Sequence, residues 1–324
     1  MKLPRRKFLH LAAGAAALPV LSRIARAQAY PTRPVRWIVG YVPGGPNDVL
    51  ARLMAQWLSA RLGQPFVVEN RPGAGTNIAT EAVVKASPDG YTLLQVSATA
   101  AINATLYEKL NFNFIRDIAP IASFIRQPTI MVVNPTVPAT TVPQFIAYAK
   151  ANPGKISMAS AGVGSIPHLA GELFKTMAGI DIAHVPYRGD IPALTDLLSG
   201  QVHLYFTSPL VIEHIRAGKL RALAVTTLTR WETLPDLPAV SEYVPGYETT
   251  TWFGVGAPRN TPPQIVEKLN KELNVALTDP NVKARLADLG GTVLPGSPTE
   301  FARHIADETE KWGKVIRAAN IKAE

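Results

Sequence analysis

Val35-Arg36-Trp37-Ile38-Val39-Gly40-Tyr41-Val42-Pro43-Gly44-Gly45-Pro46-Asn47-Asp48 decides the fold class of this chain. Val35, Trp37, Ile38 and Val39 form a short apolar run that reads as a buried strand. Beyond Asp48, Leu50, Leu53, Met54, Trp57, Leu58 and Leu62 recur three to four residues apart, the spacing of a helix with one buried face. Two glycines between strand and helix allow a tight turn and a close backbone approach. The first turn of the helix has free N–H groups and the positive end of its dipole. Together these make a site for an anion or carboxylate. A single turn of this kind is equally a plain βα connection, so recurrence has to give it weight.

It does recur. Phe66-Val67-Val68-Glu69 reads as a second strand, followed by the Gly-rich loop Asn70-Arg71-Pro72-Gly73-Ala74-Gly75-Thr76-Asn77 and a helical face of Ile78, Ala79, Ala82, Val83 and Ala86. Ser87-Pro88-Asp89-Gly90 is a turn, and Tyr91 to Val96 a third strand running into Ser97-Ala98-Thr99. Ile130 to Val133 is an apolar strand, and Thr141 caps a helix from Val142 to Ala151. Lys155 to Ala159 then leads through the small-residue loop Ser160-Ala161-Gly162-Val163-Gly164-Ser165 into a helix opened by Pro167. Ala183 to Tyr187 leads through Arg188-Gly189-Asp190 into a helix carrying Leu194, Leu197 and Leu198. A weaker copy runs from Val202 to Phe206 and on through Thr207-Ser208-Pro209 to a helix ending near Arg216. Arg221 to Val225 and Thr251 to Ala257 are further strands, and the remaining tail reads as wholly helical.

Alternating strands and helices argue for open α/β sheets, with ligands beyond the carboxyl ends of the strands where these loops gather. Residues 30–129 with 255–324 read as one lobe and residues 131–250 as the other. The chain then crosses between lobes twice, near Ile130 and near Trp252, as a hinged clamp requires.

The 324 residues are 47% hydrophobic and 18% charged, ordinary for a globular protein of one to three domains. Six of the basic residues (Lys2, Arg5, Arg6, Lys7, Arg23 and Arg26) fall in the first 27, which hold no acid. Removing them takes the net charge from +9 to +3. No basic stripe with interleaved aromatics is left to suggest a nucleic-acid partner. The same stretch reads as a signal peptide, with a basic start, an apolar run from Leu9 to Leu21 and A-x-A cleavage sites ending at Ala27 and Ala29. Arg5-Arg6-Lys7-Phe8-Leu9 resembles a twin-arginine export signal. The expected location is the periplasm. The chain has no cysteine, which excludes disulfides, thiol catalysis and Cys-ligated metals.

Residues 30 to 324 resemble the substrate-binding proteins of the tripartite tricarboxylate transporter family, often called the Bug family. The resemblance rests on Tyr30-Pro31, Pro43-Gly44-Gly45 with Asp48, Glu69 to Gly75, Pro88-Asp89-Gly90-Tyr91, Ala149 to Lys155, His168 to Phe174, His184 to Gly189, Ala193 to Leu198, Arg216 to Ala224 and Trp252-Phe253-Gly254. It implies a two-lobed periplasmic binding protein of type II-like fold, each lobe a mixed or parallel sheet flanked by helices. It also implies capture of a small carboxylate between the lobes and its delivery to a membrane permease of two other subunits. Neither a cofactor nor a metal is expected, and the protein is expected to be a monomer.

The candidate ligand-binding residues are Tyr41, Pro43, Gly44, Gly45 and Asp48 on the first loop, with Ser97 and Thr99 flanking it. On the second lobe they are Ser160, Gly162, Gly164, Ser165, Tyr187, Gly189 and Thr207. Asp48 would repel a carboxylate, so it is expected to act through water or to orient the turn. Thr207 departs from the family, whose members commonly carry Asp there. A hydroxyl in place of that acid favours a mono- or dicarboxylate, a hydroxy acid or an aromatic acid over an amino acid.

Two rival readings remain open from sequence. A sensor for a membrane receptor would use the same lobes. A secreted hydrolase would need an activated nucleophile, yet there is no G-x-S-x-G, and sequence identifies no partner for Ser160 or Ser165. The Gly162-x-Gly164 echo of a dinucleotide fingerprint fails because Pro167 stands where the third glycine belongs. Export offers a direct check. Replacing Arg5 and Arg6 with Lys is expected to leave unprocessed precursor in the cytoplasm on fractionation, whereas normal export would assign the protein to the general pathway.

Overall fold

The computed structural model describes residues 30–107, 109–318 and 320–323. The export segment and both cleavage positions lie outside the described residues. Two mixed sheets, each flanked by helices, form two lobes. In the first sheet, β1 (Val35–Val39) lies between two parallel neighbours, β2 (Phe66–Asn70) and β3 (Thr92–Ser97). Beyond β3 come β10 (Thr250–Pro258), β4 (Ile118–Pro128) and β11 (Thr292–Val293), all antiparallel to their neighbours.

The second sheet repeats the plan. There β6 (Ser157–Ser160) lies between parallel β7 (Ala183–Pro186) and β8 (Leu204–Thr207), and β5 (Ile130–Val133) pairs antiparallel with β8 and with β9 (Arg221–Val225). In each sheet the strand next to the parallel triplet is the one that arrives from the other lobe. All four residues of β5 are buried and three are β-branched, as a central strand requires.

The helices begin where the sequence punctuates them. α1 (Pro46–Leu62) starts at a proline, whose fixed φ suits the first turn, and stops at Gly63 in the left-handed region, φ 72°. It buries Leu50, Met54 and Leu58 against the first sheet. α2 (Asn77–Val84) covers the opposite face. On the second sheet, α5 (Val142–Ala151) and α6 (Ile166–Ala178) pack Phe145 and Phe174 against Phe206 and Tyr247, while α7 (Asp190–Ser199) covers the other face with Ala193 and Leu197. The short α8 (Ile212–Arg216) and the helices α9 (Pro263–Ala276), α10 (Pro280–Asp288) and α11 (Pro298–Ala318) complete the chain.

Three features differ from the sequence reading. α3 (Ala98–Leu106) follows β3 directly and is buried on nearly all sides, so it has no polar face to reveal a helical period. A short helix, α4 (Phe114–Asp117), leads into β4, whose pairing with β10 shifts register twice and so lacks a clean alternation. The tail is not wholly helical, because Thr292–Val293 adds an edge strand to β4. Trp252, close to the second crossing, is fully buried. It packs edge-on against Phe301 with ring centroids 5.6 Å apart and donates its indole N–H to Glu308 at 3.1 Å.

The chain passes from β4 to β5 through one residue, Thr129, and returns to the first sheet from Thr249 into β10. Thr226, just after β9, ties the two crossings together. Its Oγ1 lies 3.1 Å from the Thr129 N–H, 2.7 Å from Thr129 Oγ1 and 2.7 Å from the Thr249 carbonyl oxygen. All three threonines are at most 2% exposed, so water cannot replace these bonds. Thr226→Val keeps the shape and strands the partners, which is expected to cost about 1–3 kcal/mol. Thr226→Ser should cost less. Urea unfolding measures both, and an unchanged midpoint for the valine variant would show that the hydroxyl contributes nothing.

Candidate functional site

The loops at the carboxyl ends of both parallel triplets face one another, and the lobes are closed. A Cβ built on Gly189 would lie 2.8 Å from Val42 Cγ2 in the opposite lobe, and one on Gly164 would lie 2.5 Å from Asn103 Oδ1. Both glycines have positive φ, 134° and 79°, so neither the backbone nor the space admits a side chain. Between the lobes lies a cavity of about 40 Å³. That is room for about three waters.

Tyr41, Asn47, Ser97, Thr99, Thr251 and Phe253 line the cavity from the first lobe. Ala161, Ser165, Asp190 and Ser208 line it from the second, and Thr129 from the crossing. Among the described residues the lining holds no Lys, Arg or His. The positive ends that reach it are those of helix backbone. The N-termini of α1 and α3 reach it from one lobe and those of α6 and α7 from the other. The residues preceding them, Gly45, Ser97, Ser165 and Gly189, provide no side-chain cap, so the first-turn N–H groups keep their capacity for a ligand. Ser165, expected to cap α6, instead donates its hydroxyl to the Gly162 carbonyl at 2.6 Å.

Of the residues named from sequence, Tyr41, Ser97, Thr99 and Ser165 line the cavity. Tyr41 and Thr99 hydroxyls bond each other at 2.7 Å, and burial pushes the Tyr41 phenol well above its ordinary pKa. Gly45 is buried opposite Asp190, while Pro43 and Gly44 are exposed at the rim. Asp48 lies outside the lining and orients the turn: its Oδ2 accepts the Gly44 N–H at 3.0 Å, and Arg52 and Asn70 hold both oxygens. Burial pushes its carboxyl up, but these three partners together hold it below the usual range.

Ser160, Gly162 and Gly164 shape the loop rather than line the cavity. The Ser160 hydroxyl is fully buried, 2.6 Å from His184 Nε2, and accepts the Gly162 N–H. His184 is the partner that sequence did not identify. It stacks on His168 at 4.0 Å, and His168 Nδ1 accepts the Gly164 N–H. Desolvation, with Lys175 nearby, lowers His184 to about 4; desolvation, His184 and Lys175 lower His168 to about 3. The pair is therefore a neutral prop under the loop. Tyr187 is half-buried and gives its hydroxyl to Asp196 at 2.6 Å, away from the cavity. Gly189 precedes α7, and Thr207 is buried at the end of β8 opposite Ile130, with its neighbour Ser208 on the lining.

Sequence reasoning missed Asn47, Thr129, Asp190, Ser208, Thr251 and Phe253. Alternation along β10 could have found two of them: with Trp252 inward, Thr251 and Phe253 must point to the other face. Asp190 was read as the last residue of the loop Arg188-Gly189-Asp190 and is the first residue of α7, while the candidate set stopped at Gly189. Among the described residues there is no cluster of three metal-ligating side chains and no helix long and apolar enough to cross a membrane.

Comparison with known proteins finds the same fold in several solved structures. An R. palustris protein solved with adipate is 40% identical, covers 90% of this chain and 99% of its own, and superposes with a TM-score of 0.87. The periplasmic binding protein BugD is 34% identical over 91% of this chain and 100% of its own, also at 0.87. MatC from Rhodopseudomonas palustris, solved with malate, is 31% identical over 89% of this chain and 100% of its own, at 0.84. Residues 50–321 match the sequence profile of the tripartite tricarboxylate transporter family receptor. With this match, the two mixed sheets and the cleft between them, the chain belongs to the tripartite tricarboxylate transporter family of periplasmic receptors.

Proposed function

We propose that this protein captures a small carboxylate between its lobes in the periplasm, as a monomer, and passes it to the membrane subunits of a tripartite transporter. It catalyses no reaction. The observation that carries this reading is the convergence of four uncapped helix N-termini, two from each lobe, on a cavity without a basic side chain. One such terminus contributes ~0.3–1 kcal/mol to an exposed anion, whereas micromolar affinity needs ~8 kcal/mol. The remainder has to come from enclosure, where water no longer competes for the N–H groups and the hydroxyls of Tyr41, Ser97, Thr99 and Ser165. The adipate and malate bound by its relatives support a carboxylate, and the signal-like N-terminus supports export. The Ser160–His184 contact does not favour hydrolysis, because the hydroxyl is fully buried and desolvation makes His184 a poor base.

The cavity is far smaller than the roughly 300 Å³ or more of a usual ligand pocket, so a ligand enters only when the lobes part. The crossings at Thr129 and Thr249 are the hinge of that motion. A thermal-shift screen against a carboxylate library tests the function. A ligand at a hundredfold excess over Kd is expected to stabilise the protein by about 2.7 kcal/mol, and a screen without a carboxylate hit would overturn the proposal. Small-angle scattering with and without the hit should show compaction. Gly164→Val places a side chain against Asn103 and is expected to weaken the hit about tenfold or more in calorimetry. Unchanged affinity would remove this loop from the site.

A further inference from the structure

We infer that Asp190 makes the cleft selective for carboxylates that carry a hydrogen-bond donor, a hydroxyl or an ammonium, on their carbon chain. This rests on the carboxylate reading above and narrows it. Asp190 opens α7 and is the one carboxylate on the cavity lining, where no basic side chain is present to balance it among the described residues. Its Oδ1 accepts the Tyr205 hydroxyl at 2.7 Å. Its Oδ2 points across the cleft, so that a Cβ built on Gly45 of the other lobe would lie 3.3 Å from it. On that lobe the Tyr41 hydroxyl, which also lines the cavity, is already engaged with Thr99.

An ionised carboxylate accepts about four hydrogen bonds, and this one has Tyr205 for a side-chain partner. Desolvation raises its pKa, with the Tyr205 hydroxyl and its own backbone N–H pulling the other way, so burial outweighs the partners it has in the closed cleft. The position is nonetheless built to hold negative charge, at the positive end of α7 and beside a phenol. A ligand bound by its carboxylate to the helix ends and bearing a hydroxyl or ammonium toward Gly45 would supply the missing donor. One without a donor would set its own charge or its apolar chain against Asp190. The acid that Thr207 leaves out of β8 thus reaches the cleft from the neighbouring helix, so Thr207 alone does not make the site averse to amines.

The test is calorimetry on matched sets of one carbon skeleton: succinate, malate and aspartate, then glutarate, 2-hydroxyglutarate and glutamate. In the wild-type protein a hydroxyl or amino member is expected to bind about tenfold or more tighter than its unsubstituted parent, the worth of one charge-assisted hydrogen bond. Which member leads, malate or aspartate, tells hydroxyl from ammonium. Asp190→Asn keeps an oxygen for Tyr205 and removes the charge, so it should weaken the substituted member and leave the parent equal or tighter. Thermal unfolding of the variant without ligand checks that it is folded. If the unsubstituted parent binds as tightly as its partners, or if Asp190→Asn weakens all members alike, the inference is overturned while the carboxylate reading stands. If no carboxylate of any kind binds, that reading fails and takes the inference with it.

Discussion

Thr129, Thr226 and Thr249 sit where the two crossings meet, and the rest of the molecule depends on that meeting. β5 is the central antiparallel strand of the second sheet and begins one residue after β4 ends in the first. β10 fills the same place in the first sheet and begins one residue after Thr249. Each sheet is thus completed by a strand delivered through the hinge. Neither lobe can form its sheet without the crossings lying side by side. The threonine hydroxyls satisfy backbone groups that have left one ladder and not yet joined the next, in a place water does not reach.

From that junction follows the placement of the cleft. The parallel triplets β2-β1-β3 and β7-β6-β8 end facing each other, and every loop leaving them meets a helix N-terminus within a few residues. The supports of these loops lie behind them. Asp48 with Arg52 and Asn70 holds the first turn, and the stacked His168 and His184 hold the loop of the second lobe. These polar groups face away from the cavity, which leaves the N–H groups forward.

The fold class was legible because the apolar runs and Gly-rich loops carry it. Val35 to Val39 is a short apolar run bounded by turn residues, and the helix from Pro46 repeats its apolar residues every three to four positions. The wholly buried α3 and the register-shifted β4 lacked such a period, and tertiary contacts define them instead. Of the site, the loops were legible and the directions of their side chains were not. Tyr187 stands on a cleft loop yet turns to Asp196, and Ser160 turns to His184, a residue on the neighbouring strand. Asp190 was read within its loop yet left out of the candidates, because an acid at the start of a helix is explained by the helix dipole without any ligand.

An anion site made of backbone has a consequence for how such a receptor diversifies. The N–H groups of α1, α3, α6 and α7 belong to the chain's course and not to any one residue type. Replacing Ser208, Thr251 or Phe253 alters the shape and polarity met by the ligand's far end and leaves that field in place. The grip on charge and the choice of acid therefore rest on separate atoms. New preferences can arise by single substitutions on the lining, without first losing the affinity that makes a receptor useful.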